Sequence, residues 1–200
     1  MRKAVFTILV SAVFASAVAL AVPGLVMANS GASLREPTED ELIAAAHDAF
    51  IDHAGSAAQP SQEEFGVPAS VTVAQAILES GWGGSKLATG SNNYFGMKCK
   101  NGEHGPIASD CVKAATKECD KTKCWDTKAW FRVYDSEADS FRDHGSYLKA
   151  NPRYANAFKY SDDADRFIRE VHKAGYATDP KYTDKIVTLM QDYNLYRFNG

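Results

Sequence analysis

The sequence predicts an α+β domain in which helices flank a small antiparallel sheet that forms a separate lobe, leaving a cleft between the two. Three observations carry this. Apolar residues recur at helical period on both sides of residues 97–134. Inside that stretch, turn residues separate short runs with strand-like alternation, such as "CVKAATKEC" and "KAWFRVY". The four cysteines, Cys99, Cys111, Cys119 and Cys124, all fall within it. Strands and helices segregated along a chain belong to the α+β class.

The chain opens with a segment that stands outside the fold. Arg2 and Lys3 precede an uncharged apolar run, and Val26-Met27-Ala28 suits signal-peptidase cleavage after Ala28. Residues 1–28 are therefore read as a signal peptide. The run is also long enough to span a bilayer as a retained anchor; either way the remainder is exported. Residues 29–36 form a disordered lead-in, and residues 37–200 one domain. The 172 residues after Ala28 can bury a real core. Without Arg2 and Lys3 there are 20 basic and 25 acidic residues, a net charge of −5. That balance excludes a nucleic-acid binder, which needs a basic face for the phosphates.

The first helix starts at Pro37-Thr38-Glu39-Asp40-Glu41, where Thr38 and Glu41 have capping-box spacing. Leu42, Ala45, Ala46, Ala49, Phe50 and His53 carry it to about Ala54. "GSAAQPSQEEFGVPAS" is read as a linker. A second helix begins at Pro68, buries Val71, Ala74, Ile77 and Leu78, and stops at Gly81. One further turn fits "SKLAT". After the sheet, Ser136 leads into a helix with Phe141, Tyr147 and Leu148 on one stripe. "DADRFIREVHKAG" turns Phe167, Ile168 and Val171 inward and ends at Gly175. Asp179-Pro180 opens the last helix, "KYTDKIVTLMQDYN".

An even cysteine count in an exported chain reads as two disulfides. A zinc site is the rival, but tight Cys-x-x-Cys pairs are missing: the gaps are 11, 7 and 4 residues. Cys119 and Cys124 flank a four-residue loop of hairpin length, which favours Cys119–Cys124 with Cys99–Cys111.

The chemistry centres on "AILESGWGGSKL". Glu79 ends a buried-looking helix, and Gly81, Gly83 and Gly84 clear side chains beside it, so a substrate can approach the backbone. Trp82 offers a flat apolar surface. A carboxyl shielded from water by such a surface has its charged form disfavoured and can serve as a proton donor, the group a glycosidase needs. Taken alone, Glu79 also fits an exposed helix-end acid. A second carboxylate could come from the sheet lobe, where strand alternation puts Val112, Ala114, Thr116 and Glu118 on one face. Spacing alone leaves Glu118 as a solvated acid, with Glu103, Asp110, Asp120 and Asp126 as competitors.

Four motifs in order, "AQAILESGWGGSKL…NNYFGMK", "FRVYDS", "NPRYANA" and "AGYATDPKYTDKI", resemble the glucosaminidase family, glycoside hydrolase family seventy-three, over about residues 40–195. The resemblance implies a lysozyme-like fold and cleavage of β-1,4 bonds in peptidoglycan glycan strands without a cofactor or metal. It implies that Glu79 is the general acid and that Glu118, thirteen positions before Phe131, is the second acid. It also places Tyr176 in the site. Asn93 and Tyr94 are read as the floor of the cleft and, with Trp82, as substrate-binding residues; turn chemistry and packing are the alternative for Asn93 and Tyr94. The four-cysteine hairpin departs from the family's general pattern. The expected protein is an exported monomer, periplasmic or secreted, of endo-β-N-acetylglucosaminidase type. Muramidase or lytic transglycosylase cleavage, and a non-cutting wall-binding module, remain the alternatives.

Overall fold

The computed structural model describes residues 35–119 and 123–200, with Glu118 and Cys119 described by backbone alone. The signal segment and most of the lead-in expected from the sequence lie outside the described residues. Helix α1 (Glu39–Phe65) begins with the expected capping box: Thr38 Oγ1 accepts from Glu41 N, and Thr38 N donates to Glu41 Oε2 at 2.8 Å. It does not stop at Ala54. The segment read as a linker continues the helix for eleven residues, through Pro60.

Packing explains the difference. Ile51, Ala54, Gly55, Ala58 and Ser61 form one buried stripe, and Ser61 Oγ donates to the Phe141 carbonyl. Proline in a helix interior costs about 3 kcal/mol. Here the ring and the Ser56 carbonyl it deprives of a donor both lie on the exposed side, where water can serve that carbonyl. Gln62 Oε1 then accepts from Ala69 N, tying the end of α1 to the start of the next helix.

Helix α2 (Ala69–Ser80) is buried on every side from Ala69 to Ile77, as a central core helix must be. Pro68 precedes it as N-cap. A short helix, α3 (Lys86–Ser91), leads to the hairpin β1 (Asp110–Cys119) and β2 (Cys124–Val133), paired antiparallel from Asp110↔Val133 to Cys119↔Cys124. Helices α4 (Glu137–Ala150), α5 (Ala164–Lys173) and α6 (Tyr182–Asp192) follow, with 3-10 turns at Pro152–Tyr154, Ala157–Tyr160 and Leu195–Phe198. The last helix begins two residues later than Asp179-Pro180 suggests. Asp179 Oδ1 instead caps the Lys181 amide, and Tyr182 N donates to the Asp179 carbonyl.

One hydrophobic cluster runs from Ile51 to Leu195, with Phe95, Phe141, Tyr154, Phe167 and Met190 at its centre. Gly145 lets α4 lie against α1: a Cβ there would sit 2.4 Å from Ser61 Oγ. The hairpin is held to this body at its base. Arg132 Nη1 pairs with Asp143 of α4, and Tyr134 Oη donates to the same carboxylate oxygen at 2.6 Å. Residues 97–99 add main-chain bonds to β2 through Arg132 N→Met97 O and Cys99 N→Trp130 O, both 2.9 Å. Cys99 and Cys111 form a disulfide, as expected. Cys124 is also disulfide-bonded; the side chain of Cys119, its expected partner, lies outside the described residues. Among the described residues, no helix is long and apolar enough to cross a membrane.

Candidate active site

The Glu-Ser-Gly segment ends α2 with a tightly built turn. Gly81 takes the left-handed conformation, φ 58°, that closes the helix. Ser80 is buried; its Oγ donates to the Ala76 carbonyl at 2.6 Å and accepts from Gly83 N at 2.7 Å. Gly83, at φ 74°, has Phe50 against it, and a Cβ would meet that ring at 3.0 Å. The glycines thus fold the chain back on α1 and fix the direction in which the last turn of α2 presents Glu79.

The carboxyl of Glu79 is set among tyrosines. Tyr182 Oη donates to Glu79 Oε1 at 3.1 Å, and Gln75 Nε2 donates to Tyr182 Oη at 2.9 Å. Gln75 lies one helical turn before Glu79 on α2, so both ends of this relay share a rigid support. Glu79 Oε2 is shielded from water and has no hydrogen-bond partner among the described residues. Burial raises the Glu79 pKa to about 8, and the Tyr182 bond opposes the shift. The acid is therefore neutral at pH 7. Because Oε1 accepts the tyrosine proton, the acid's own proton belongs on Oε2, the oxygen with nothing else to bind.

Tyr176 packs beside this pair, its ring 5.7 Å from that of Tyr182. It is close enough for the Glu79 charge to push the Tyr176 hydroxyl pKa upward, after the larger effect of burial. Its hydroxyl lies 3.3 Å from His144 Nε2. His144 is fully buried and stacked on Phe95 at 4.1 Å, and burial lowers its pKa to about 3, so the imidazole is neutral. Tyr154 and Tyr147 extend the row, with ring centroids 6.2 Å (Tyr176–Tyr154) and 6.0 Å (Tyr154–Tyr147) apart. The row reaches a cavity of about 390 Å³ under the hairpin base, lined by Pro106, Arg132, Asp143 and Tyr147 among others.

Three residues assigned to substrate are engaged within the protein. Trp82 stacks on His47 (3.6 Å between centroids) and meets the edge of Tyr193 at 4.9 Å. Its ring holds the turn to α1 and the C-terminal segment, and the rings placed around the Glu79 carboxyl are tyrosines. Asn93 is 1% exposed, and its amide is used up: Nδ2 donates to the Met97 and Arg132 carbonyls, and Oδ1 accepts from Met97 N. It fastens the hairpin base and is buried away from the surface that a sugar could reach. Tyr94 is half-buried and hydrogen-bonds through its hydroxyl to Glu137. Glu118 takes register position 118 of β1, opposite Trp125 of β2; its side chain lies outside the described residues.

Sequence reasoning missed Tyr182, Gln75 and Glu137. Tyr182 carried a signal. It begins a stripe of buried residues, Tyr182, Ile186 and Met190, at a spacing of four. A tyrosine on a core stripe must find a partner for its hydroxyl. Glu137, which begins α4, keeps Oε1 buried without a partner and pairs through Oε2 with His53 Nδ1 at 2.7 Å. Burial raises its pKa, against the lowering effects of His53 and the Tyr94 bond. Among the described residues no group of three His, Cys, Asp or Glu side chains comes together to hold a metal.

Residues 55–195 match the Glucosaminidase family, described as mannosyl-glycoprotein endo-beta-N-acetylglucosaminidase. The chain belongs to the glucosaminidase family. It is 38% identical over 154 residues to the peptidoglycan hydrolase FlgJ of Vibrio cholerae, covering 74% of this chain and 45% of that protein. The chain thus spans about half the length of the curated relatives it matches. A crystal structure of a peptidoglycan hydrolase mutant from Sphingomonas sp. A1 superposes with a TM-score of 0.64 at 34% identity, over 75% of this chain and 96% of that one. A C-terminally truncated glycoside hydrolase domain of FlgJ from Salmonella typhimurium gives 0.60 at 34% identity, over 74% and 97%. These matches fix the glucosaminidase fold as the lysozyme-like α+β architecture expected from the motifs.

Proposed function

We propose that this glucosaminidase-family chain is an exported glycoside hydrolase that cuts β-1,4 bonds of peptidoglycan glycan strands as an endo-β-N-acetylglucosaminidase. The observation that carries the reading is Glu79: a carboxyl held neutral by burial, with one oxygen fixed by Tyr182 and the other unbonded. Such a group is equipped to protonate a departing glycosidic oxygen, and a neutral acid neither attracts cations nor acts as a base.

In this reading Glu79 Oε2 gives its proton to the leaving-group oxygen. Tyr182 keeps the carboxyl in position and steadies the carboxylate that results, because its donated bond strengthens as the charge develops. Glu118 is the second acid, acting on a water or on the positive charge of the oxocarbenium-like transition state. Tyr176 packs beside Tyr182, which places it in the site in this reading. The Cys99–Cys111 disulfide supports an oxidising, exported setting, and the peptidoglycan hydrolases among the relatives support the substrate.

The test is loss of turbidity of purified peptidoglycan, compared for the wild type and Glu79→Gln, with mass spectrometry of the products. Clearing by the wild type alone, with new reducing N-acetylglucosamine ends, is the expected result. Reducing N-acetylmuramic acid ends would make it a muramidase, and anhydro ends a transglycosylase. Equal clearing by the two proteins would remove Glu79 from the chemistry.

A further inference from the structure

The hairpin carries two exposed tryptophans that play no part in the site just described. Trp125 is 43% exposed and Trp130 49% exposed. Side chains alternate across a strand, so the two residues, five positions apart, lie on opposite faces of the ribbon. The faces differ. One bears Val112, Ala114 and Thr116 of β1 with Thr127, Ala129 and Phe131 of β2; most of it is half-covered, and Phe131 is 3% exposed. The other bears Lys113, Ala115, Lys117, Lys128 and Trp130, all open to solvent, with Lys113 Nζ 5.9 Å from the Trp130 ring.

Trp125 ends the inner face, and β1 position 118 is its direct cross-strand partner. Opposite residues in an antiparallel pair share a face, with Cβ atoms about 5 Å apart. The ribbon thus forms a gutter: Phe131 closes its base, small residues floor it, and an uncovered indole stands at its far end beside the expected second acid. We propose that Trp125 is a sugar-stacking platform that holds an N-acetylhexosamine unit of the glycan strand next to position 118. This rests on the glycosidase reading above.

The chemistry selects a saccharide. A pyranose presents a face of C–H groups with partial positive charge to the negative face of an indole, and its hydroxyls point outward around the rim. Thr116 and Thr127, paired in register two residues further in, supply hydroxyls that both donate and accept at that rim. The floor of alanine and threonine leaves room that a larger side chain would fill. Continuity with position 118 makes the occupant the strand being cut.

Trp130 is the matched control, equal in exposure and opposite in face. In a Glu79→Gln background, which holds substrate without cleaving it, binding of a soluble peptidoglycan tetrasaccharide is measured by calorimetry, and binding to sacculi by sedimentation. Trp125→Ala weakens both about tenfold, the scale of one lost aromatic stack with its buried area. Trp130→Ala stays within about twofold, and Trp125→Phe recovers most of the loss, as a stacking role requires. Equal effects of Trp125→Ala and Trp130→Ala, or no effect of either, overturn the proposal. So does a Trp125→Phe variant as weak as alanine, or light scattering that shows a dimer dispersed by Trp125→Ala. Wild-type clearing is scored separately. A wild type that neither binds nor clears sacculi defeats the glycosidase reading and this inference with it. A wild type that clears normally beside an unaffected Trp125→Ala defeats this inference alone.

Discussion

Replacing Glu79 by glutamine separates what the acid does for catalysis from what it costs the fold. In the unfolded chain this carboxyl titrates near 4.5, and in the folded protein near 8. Below pH 4.5 both states hold the proton and stability is flat. Between the two values the unfolded chain releases a proton that the folded protein keeps, so stability falls by about 1.4 kcal/mol per pH step. Above 8 the loss is complete. At pH 7 the ionisable carboxyl therefore costs the fold about 3 kcal/mol relative to pH 4. Glutamine has nearly the same shape, and its Oε1 still accepts from Tyr182. Its buried amide protons add a cost of their own, but that cost does not vary with pH. The stability of Glu79→Gln relative to wild type should therefore rise by about 3 kcal/mol from pH 4 to pH 7, or roughly 6–12 °C in Tm for a domain of this size. Urea unfolding of both proteins at unit pH steps from 4 to 8 measures the difference directly, and every other titrating group cancels. Activity should fall by about 10²–10⁴, the usual worth of a general acid. Parallel stability curves would refute the reasoning, because they would mean that Glu79 is ionised in the folded protein.

The Tyr182 bond lowers the Glu79 pKa, so Tyr182→Phe should move the alkaline limb of the pH–activity profile to higher pH. It also leaves the buried Gln75 amide without its partner, a loss of about 1–3 kcal/mol in a urea melt. Asp143→Ala strands the Arg132 guanidinium, whose side chain is 16% exposed, and frees Tyr134; a destabilisation of about 3–5 kcal/mol is expected, read as a lower urea midpoint. Opening the Cys99–Cys111 loop with the double alanine variant should lower stability by about 3 kcal/mol, and reductant should then produce a smaller fall in Tm than it does in the wild type.

Local chemistry made much of the fold legible. The Thr38 cap, the Gly81 stop and the Ser136 start depend on neighbours within four residues, and each stands where the sequence puts it. The end of α1 was not legible because Pro60 is a strong local signal that a long-range stripe overrides. The partners that keep the helix going, Phe141 for Ser61 and Phe198 for Gly55, lie 80 and 143 residues away along the chain. The site divides in the same way. A lone acid among glycines at a helix end points to Glu79. The hydroxyl that holds it comes from 103 residues further on, and the covering rings are Tyr182 and Tyr176 where the sequence suggested Trp82. Asn93 shows the converse: a polar residue beside a candidate site can be there to fasten two lobes together, and its buried amide serves three backbone groups.

That fastening bears on how Glu79 and position 118 could work together in the proposed mechanism. Glu79 stands on a helix buried on all sides, and its position is fixed by Gln75 and Tyr182. Position 118 lies seven residues out from the Cys111↔Arg132 pair where the ribbon is anchored, a reach of about 23 Å at strand rise. A two-stranded ribbon is marginally stable alone, so over that distance the placement of position 118 depends on what lies against the ribbon as well as on its own hydrogen bonds. In the proposed mechanism the proton donor, Glu79, is thus rigid before substrate arrives, whereas position 118, the proposed second acid, is placed by the ribbon. A sugar gripped at the tip would fix the ribbon and the sugar together. The affinity gained there would go into bringing position 118 toward Glu79, so that in the proposed mechanism the second acid acts only once the glycan strand is held.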